Sequence, residues 1–290
     1  MEPIINLEEI KIDKPVEEKK IDFDDLHNRY LVDLSLEVPP PPIAMSIGDH
    51  EFRGNLYPTT VASYGDFSVI VGESKAKKSF LKSLFVARYL GGNSHEYGSE
   101  IKAFDTQGKY VIDVDTEQGE YHSQKTFRRV AQMTNELSPL YKPFRLRPLS
   151  PRERLEFLDY LFFKSQYRNK IGLVVIDGIA DLVKDINDIE ESTMVIQKLM
   201  TWSEYAKCHI ITVLHLNPGS VKPKGHLGTF AMQKCESIIR VKREDATRSS
   251  VTADYARNFA FDPFEIEIQN GLPYYTGQFE PIPDNFDNTF

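Results

Sequence analysis

The sequence predicts an α/β domain with a mainly parallel sheet flanked by helices and antiparallel strands at the C-terminal end. Three observations carry that expectation. The mostly apolar runs 67–71 and 171–176 have the length and character of strands covered on both faces. Stretches of helical period alternate with them, such as Phe80, Leu81, Leu84, Phe85 and Ala87, then Met194, Val195, Leu199, Met200 and Trp202. The last third reads instead as strands, with Glu/Ile alternation over 264–268 turning at Asn270-Gly271, a hairpin signal.

A chain of 290 residues, 41% hydrophobic, holds one large domain or a domain with an appendage. We expect an arm and polyproline linker over 1–42, the domain over 43–280 and a tail over 281–290. The formal net charge of −8 argues against a monomer that coats nucleic acid electrostatically, leaving only a local basic loop for such contact. No apolar run approaches a membrane span, and the acidic opening Met1-Glu2-Pro3 lacks signal-peptide character, so a soluble, cytoplasmic protein is expected. Cys208 and Cys235 lack metal-ligand spacing and read as reduced core thiols.

The arm is rich in Glu, Lys and Asp without a sustained apolar period, and a short helix is expected around 24–31. Pro39 to Pro42 form a stiff spacer. Strands over 43–47 and 51–57 are expected to pair around Gly48-Asp49.

The chain is organised around Gly72-Glu73-Ser74-Lys75-Ala76-Lys77-Lys78-Ser79-Phe80, which lies between the first apolar strand and the first helix. A loop there aims backbone N–H groups and a helix N-terminus at one point, the arrangement of an anion site. In the pattern G-x-x-x-x-G-K-[ST], Lys78 reaches the β/γ-phosphates and the Ser79 hydroxyl holds Mg²⁺. Lys77 stands where that pattern has its second glycine. A left-handed backbone there costs about 1–2 kcal/mol, which several charge-assisted phosphate bonds of roughly 1.5–3 kcal/mol each outweigh. Lys75, Lys77 and Lys78 together are expected to add positive charge to the loop.

A polar loop is expected over 93–108 and a strand over 109–115, ending in Asp115-Thr116-Glu117-Gln118-Gly119. Ligands of open parallel sheets bind at such strand ends. Glu117 is either the carboxylate that orients an attacking water or a solvent-facing loop acid. A helix over 121–137 and a short strand over 144–149 follow, with Arg128-Arg129 read as a solvated helix face. Ser150-Pro151-Arg152-Glu153 starts a helix running to about residue 167: Ser150 as N-cap, Pro151 at the first position, Glu153 closing a capping box. Asp177 sits just past the strand 171–176, placed to hold a Mg²⁺ shell through water.

An acidic loop over 181–191, a helix over 192–206 and a strand over 209–216 come next. His215, at that strand's end, is either a group that touches a γ-phosphate or a satisfied core histidine. The Gly/Pro-rich stretch 217–228 carries Lys222, Lys224 and His226 and is either a nucleic-acid-facing loop or an ordinary linker.

In this order the pieces resemble the RecA-like P-loop ATPases, and within them the DnaB/RepA-type hexameric helicase group and related ATPases of bacterial mobile elements. The resemblance covers 67–275 and rests on Gly72 to Ser79, Asp115 to Glu117, Leu173 to Asp177, His215, the loop and strand that follow, and Ala256-Arg257-Asn258. It implies a RecA-like sheet, ATP and Mg²⁺ as cofactors, ATP between subunits of a ring or filament, and DNA as a partner. By matching position, Lys78 contacts phosphate, Ser79 and Asp177 serve Mg²⁺, Glu117 activates water and His215 senses the γ-phosphate. Arg257 would enter a neighbour's site, and the loop 218–228 would face DNA. Tyr255 stands where that group carries a lysine two residues before the arginine. The expected function is an ATPase acting on DNA; the alternative is a slow nucleotide switch or scaffold serving a partner protein.

Overall fold

In the computed structural model the described residues are 21–217 and 223–278, and the chain divides into two units, 1–40 and 41–290. In the first unit, α1 (Phe23–Tyr30) starts at Asp22, whose carboxylate accepts the Asp25 N–H at 3.0 Å. This is an ordinary N-cap. The helix buries none of its residues.

The second unit opens with a hairpin of β1 (Ile43–Phe52) and β2 (Asn55–Ser63). Its turn is Arg53-Gly54, both left-handed, rather than the expected Gly48-Asp49; the pairing is irregular between Ser46 and Asp49, so the strand runs on through the glycine. Then come β3 (Phe67–Gly72), α2 (Lys78–Leu90), a 3-10 turn at Gly92–Tyr97, β4 (Ile101–Ala103), β5 (Tyr110–Asp115), α3 (Glu120–Thr134) and β6 (Tyr141–Arg145). After these follow α4 (Pro151–Phe163), β7 (Ile171–Asp177), a 3-10 turn at Ile179–Leu182, α5 (Ile189–Ala206), β8 (His209–His215) and α6 (Gly225–Lys234). The chain closes with β9 (Ser237–Arg243), β10 (Arg248–Ala256), β11 (Phe264–Gln269) and β12 (Leu272–Gln278).

The main sheet runs β12-β11-β10-β9-β3-β8-β7-β5-β6. From β9 to β6 every neighbouring pair is parallel, whereas β9 to β12 pair antiparallel. The expected fold is thus observed. β3, β7 and all but the ends of β5 and β8 are buried, which accounts for their near-continuous apolar character. Alternate side chains feed two cores. Val69, Val71, Ile176, Ile210 and Leu214 pack with α4 and α5, where Trp202 stacks on Phe162 at 5.1 Å. Ile70, Val175, Ile211, Val213 and Ile239 pack with α2 and with β1 and β2.

Several local expectations change. The stretch 93–108 is structured: β4 pairs with β1, giving a small sheet β2-β1-β4. Of the expected strand at 144–149 only Phe144 and Arg145 are extended, because β6 pairs with β5 from three residues earlier, beginning at Tyr141. The capping box at Ser150 and Glu153 forms, but the helix ends at Phe163 rather than near 167. Part of the stretch 217–228 is helical: α6 begins at Gly225, so His226 lies in its first turn, with its ring 5.9 Å from that of Phe230. Both cysteines are buried, and burial pushes the Cys235 thiol up to about 12 and the Cys208 thiol well above its usual range. The tail 281–290 lies outside the described residues.

Candidate functional site

The parallel register brings the site together at the C-terminal ends of four neighbouring strands. Gly72 of β3 pairs with His215 of β8, and Asp115 of β5 pairs with Asp177 of β7. Gly72 has a packing reason to lack a side chain, since a Cβ there would lie 2.3 Å from the Val241 carbonyl oxygen. The chain then makes a tight loop and enters α2 through Lys77, whose φ and ψ of 68° and 27° are left-handed. The strained conformation expected at this non-glycine position is therefore adopted.

Lys78 is 5% exposed and its ammonium donates to the Gly72 and Glu73 carbonyls, both at 2.8 Å. It also lies 3.1 Å from His215 Nδ1. Burial lowers its pKa to about 8, with Asp177 and Glu117 opposing the shift. On the far side of the imidazole, His215 Nε2 lies 3.5 Å from Glu117 Oε2. That contact, against the opposing effect of burial, holds the Glu117 carboxyl below the usual glutamate range. Lys78, His215 and Glu117 thus form one chain of polar contacts across the mouth of the loop. Asp115 shapes the Glu117 turn: its carboxylate accepts the Glu117 and Gln118 N–H groups at 3.0 and 2.8 Å and the Ser123 hydroxyl at 2.5 Å.

Ser79 Oγ donates to Asp177 Oδ2 at 3.3 Å. Two hard oxygen donors at a phosphate loop suit Mg²⁺, which is bound through one or two protein oxygens plus water and phosphate. Thr116 joins the ends of β5 and β7, with Oγ1 within 2.8–3.0 Å of the Asp177 and Gly178 carbonyls and the Asp181 carboxylate. Gly178 (φ +101°) must be glycine beside it, because a Cβ would approach Thr116 Oγ1 to 2.3 Å.

Sequence reasoning missed a charged cluster beneath this edge. Lys82, fully buried on α2, reaches Asp113 Oδ1 at 3.0 Å and Asp177 Oδ2 at 3.3 Å. Asp113 Oδ2 also accepts the Tyr141 hydroxyl at 2.7 Å. Burial opposes the Lys82 ammonium, but Asp113 and Asp177 outweigh it and keep its pKa above the usual lysine range. Burial pushes the Asp177 carboxyl up, and Lys82 offsets part of that shift. The signal was present: a lysine between Leu81 and Leu84 on an inward helix face, and an aspartate inside the apolar run 111–114.

Arg129 corrects the reading of Arg128-Arg129 as a solvated face. It is 7% exposed and stacks over the Phe80 ring at 3.7 Å. Its guanidinium donates to the Ser79 carbonyl at 3.2 Å, the Ser83 hydroxyl at 3.1 Å and the Gly271 carbonyl at 3.2 Å. Burial lowers its pKa to about 10. Beside it, Tyr121, Lys125, Arg128, Arg129, Asn270 and Gly271 line a polar cavity of about 260 Å³.

Lys77 is anchored away from the other two lysines. Its ammonium turns to the β9–β10 hairpin rather than to the mouth of the loop, donating to the Asp245 and Arg248 carbonyls at 3.0 Å and Ser249 Oγ at 3.3 Å. Glu73, Ser74 and Lys75 are exposed, and Ala76 is buried.

Arg257 lies outside this cluster. It follows β10, pairs with Asp66, and its N–H donates to Glu236, whose own N–H donates to the Phe67 carbonyl at the start of β3. A strand of six residues separates that end from the loop, about 20 Å at 3.3 Å per residue. Lys224 is exposed immediately before α6, and Lys222 lies outside the described residues.

A phosphate loop entering α2, with a carboxylate at the end of each of two parallel neighbouring strands, defines a RecA-like P-loop ATPase fold. A family model described as "AAA domain" matches residues 55–220, more than half of the chain, and the chain belongs to that family. No curated protein matches it. Among solved structures it is similar to the RadB recombinase, at 16% identity and a TM-score of 0.50, covering 74% of this chain and 92% of that one. At that identity the likeness bears on the fold. Among the described residues no helix is long and apolar enough to cross a membrane.

Proposed function

We propose that the protein binds ATP with Mg²⁺ at Gly72 to Ser79 and hydrolyses it, coupling turnover to DNA as a ring or filament. The observation that carries the reading is the convergence of Lys78, Ser79, Glu117, Asp177 and His215 on one sheet edge. Lys78, released from the Gly72 and Glu73 carbonyls, would bridge the β/γ-phosphates. Ser79 and Asp177 would hold Mg²⁺, which when bound neutralises phosphate charge. Glu117, kept ionised by His215, is the base that orients water.

Arg257 sits too far from its own Lys78 to act there, which favours a role in a neighbour's site and hence an oligomer. Lys222, Lys224 and His226 are the groups for DNA. A nucleotide switch serving a partner protein is the second reading, favoured by the net charge of −8.

The test is steady-state ATP hydrolysis with and without single-stranded DNA, for the wild type, Lys78→Ala and Glu117→Gln. Turnover stimulated by DNA and lost in both variants is expected. Tight ATP binding without turnover, indifferent to DNA, would leave the switch.

A further inference from the structure

Lys77 occupies a glycine position of the phosphate-loop pattern in a left-handed conformation that lysine disfavours. An ammonium has three N–H donors and no acceptor. Here three oxygens surround it, from Asp245, Arg248 and Ser249. A full set of partners leaves nothing to reach a phosphate. The Ser249 hydroxyl in turn donates to the Ala76 carbonyl at 3.1 Å, so the same two segments are joined a second time.

The turn that receives these bonds is built to present them. Asp245 accepts the Thr247 and Arg248 N–H groups at 2.8 and 2.7 Å and pairs with the Arg248 side chain at 2.8 Å. The Arg248 carbonyl is thereby aimed at the loop. A glycine would adopt this backbone geometry without steric cost; in this chain an anchored side chain holds a lysine in it.

We propose that Lys77 is a positioning residue, a strap that holds the phosphate loop in its binding shape by tying it to the β9–β10 turn, so that loop and turn move as one unit. The inference deepens the proposed nucleotide site and rests on that reading. Its consequence is that the turn bearing Arg243 and Arg248 responds when the loop changes shape on binding phosphate.

The strap makes an asymmetric prediction for two substitutions that both remove the ammonium. Lys77→Gly loses the anchor but adopts φ > 0 without strain, so ADP affinity, measured by calorimetry on the full chain, stays within about threefold of wild type. Lys77→Met loses the anchor and keeps the strain, so ADP binds about tenfold more weakly. Equal losses in the two variants would overturn the proposal, because they would put the ammonium on the phosphates.

Hydrogen exchange without nucleotide supplies a separate arm. Amides of 244–249 exchange faster in both variants than in wild type if the strap exists. Unchanged exchange there overturns it, whether or not ADP binds. Failure of wild type to bind ADP at all would instead remove the nucleotide site itself. Exchange in wild type with saturating ADP should further change protection across 244–249, a response that Lys77→Gly loses; a response of equal size in both proteins counts against coupling.

Discussion

Replacing Lys82 by methionine is the sharpest test of how the site's carboxylates are held. The methionine fills nearly the same volume but removes the ammonium that pairs with Asp113 and Asp177 beneath the loop, where Lys82 and Asp113 are fully buried. Breaking a buried ion pair by deleting one partner costs roughly 3–5 kcal/mol, because the remaining charge is desolvated and uncompensated. For a domain of this size that is a fall in Tm of about 10 °C. The loss should depend on pH with a definite sign. Burial already raises the Asp177 pKa and Lys82 offsets part of the shift, so without Lys82 the shift grows. A carboxyl whose folded pKa lies above its unfolded value of about 3.9 takes up a proton more readily when folded. The variant therefore regains stability as pH falls from above its folded Asp177 pKa toward that value. Urea titrations at about pH 8 and pH 5.5 read this, and Lys82→Met with Asp113→Asn should recover part of the loss at either pH, since one stranded charge is gone. A single-variant loss below about 1 kcal/mol would place the cluster in the range of exposed pairs and refute the argument.

Four further outcomes follow from the same geometry. Glu117→Gln should lower ATP turnover about 10²–10⁴-fold with ADP affinity nearly unchanged, as read by phosphate release and calorimetry; a matching loss of affinity would make Glu117 a binding group. Because the Lys78 pKa is about 8 and an added phosphate would raise it, ADP binding at about pH 8.5 should take up a proton that binding at about pH 6.5 does not, measured as a buffer-dependent enthalpy. Arg257→Ala and Lys78→Ala proteins, each inactive alone, should regain turnover on mixing if Arg257 serves a neighbour, whereas additive inactivity sinks the shared site. Lys224→Ala should reduce the salt slope of single-stranded DNA binding by about 0.7 if that lysine meets a phosphate, as read by anisotropy over a salt series.

Much of the fold was legible because its central strands are buried on both faces. Such strands must be apolar throughout, and 171–176 announces itself for that reason. The polar residue at or just beyond the end of each run then falls at one edge of the sheet, which places Asp177, Glu117 and His215 there. Charged groups whose place is set by another element were not legible. Arg129 looks like half of a solvated pair until α3 packs on α2 and sets its guanidinium over Phe80. Lys82 and Asp113 are separate charged residues in the sequence, and only the packing of α2 on the sheet makes each the other's partner. Loop boundaries failed where the signal was compositional: glycine and proline over 217–228 suggest a loop throughout, yet α6 begins at Gly225.

The three lysines of the loop region show why motif chemistry and tertiary chemistry separate. Lys75, Lys77 and Lys78 look equivalent by charge, and a count of positive residues would give all three to the phosphates. Their surroundings divide them. Lys78 lies under the loop on two carbonyls that a phosphate can replace as acceptor, and its lowered pKa reflects that burial. Lys77 spends its donors on the β9–β10 hairpin, where no exchange with phosphate is needed to satisfy it. Lys82, one helical turn beyond Lys78, spends its charge on Asp113 and Asp177. Successive lysines around one helix start therefore face the ligand edge, the antiparallel hairpin and the acidic interior. The helix period assigns them: Lys78 and Lys82, four residues apart, share the inner face toward the strand ends, while Lys77 precedes the helix with a left-handed backbone that sends its side chain elsewhere. Of the loop's lysines only Lys78 thus has its ammonium held beneath the loop, while Lys75 is exposed, and a phosphate held there depends on the loop's shape as well as on its lysine count.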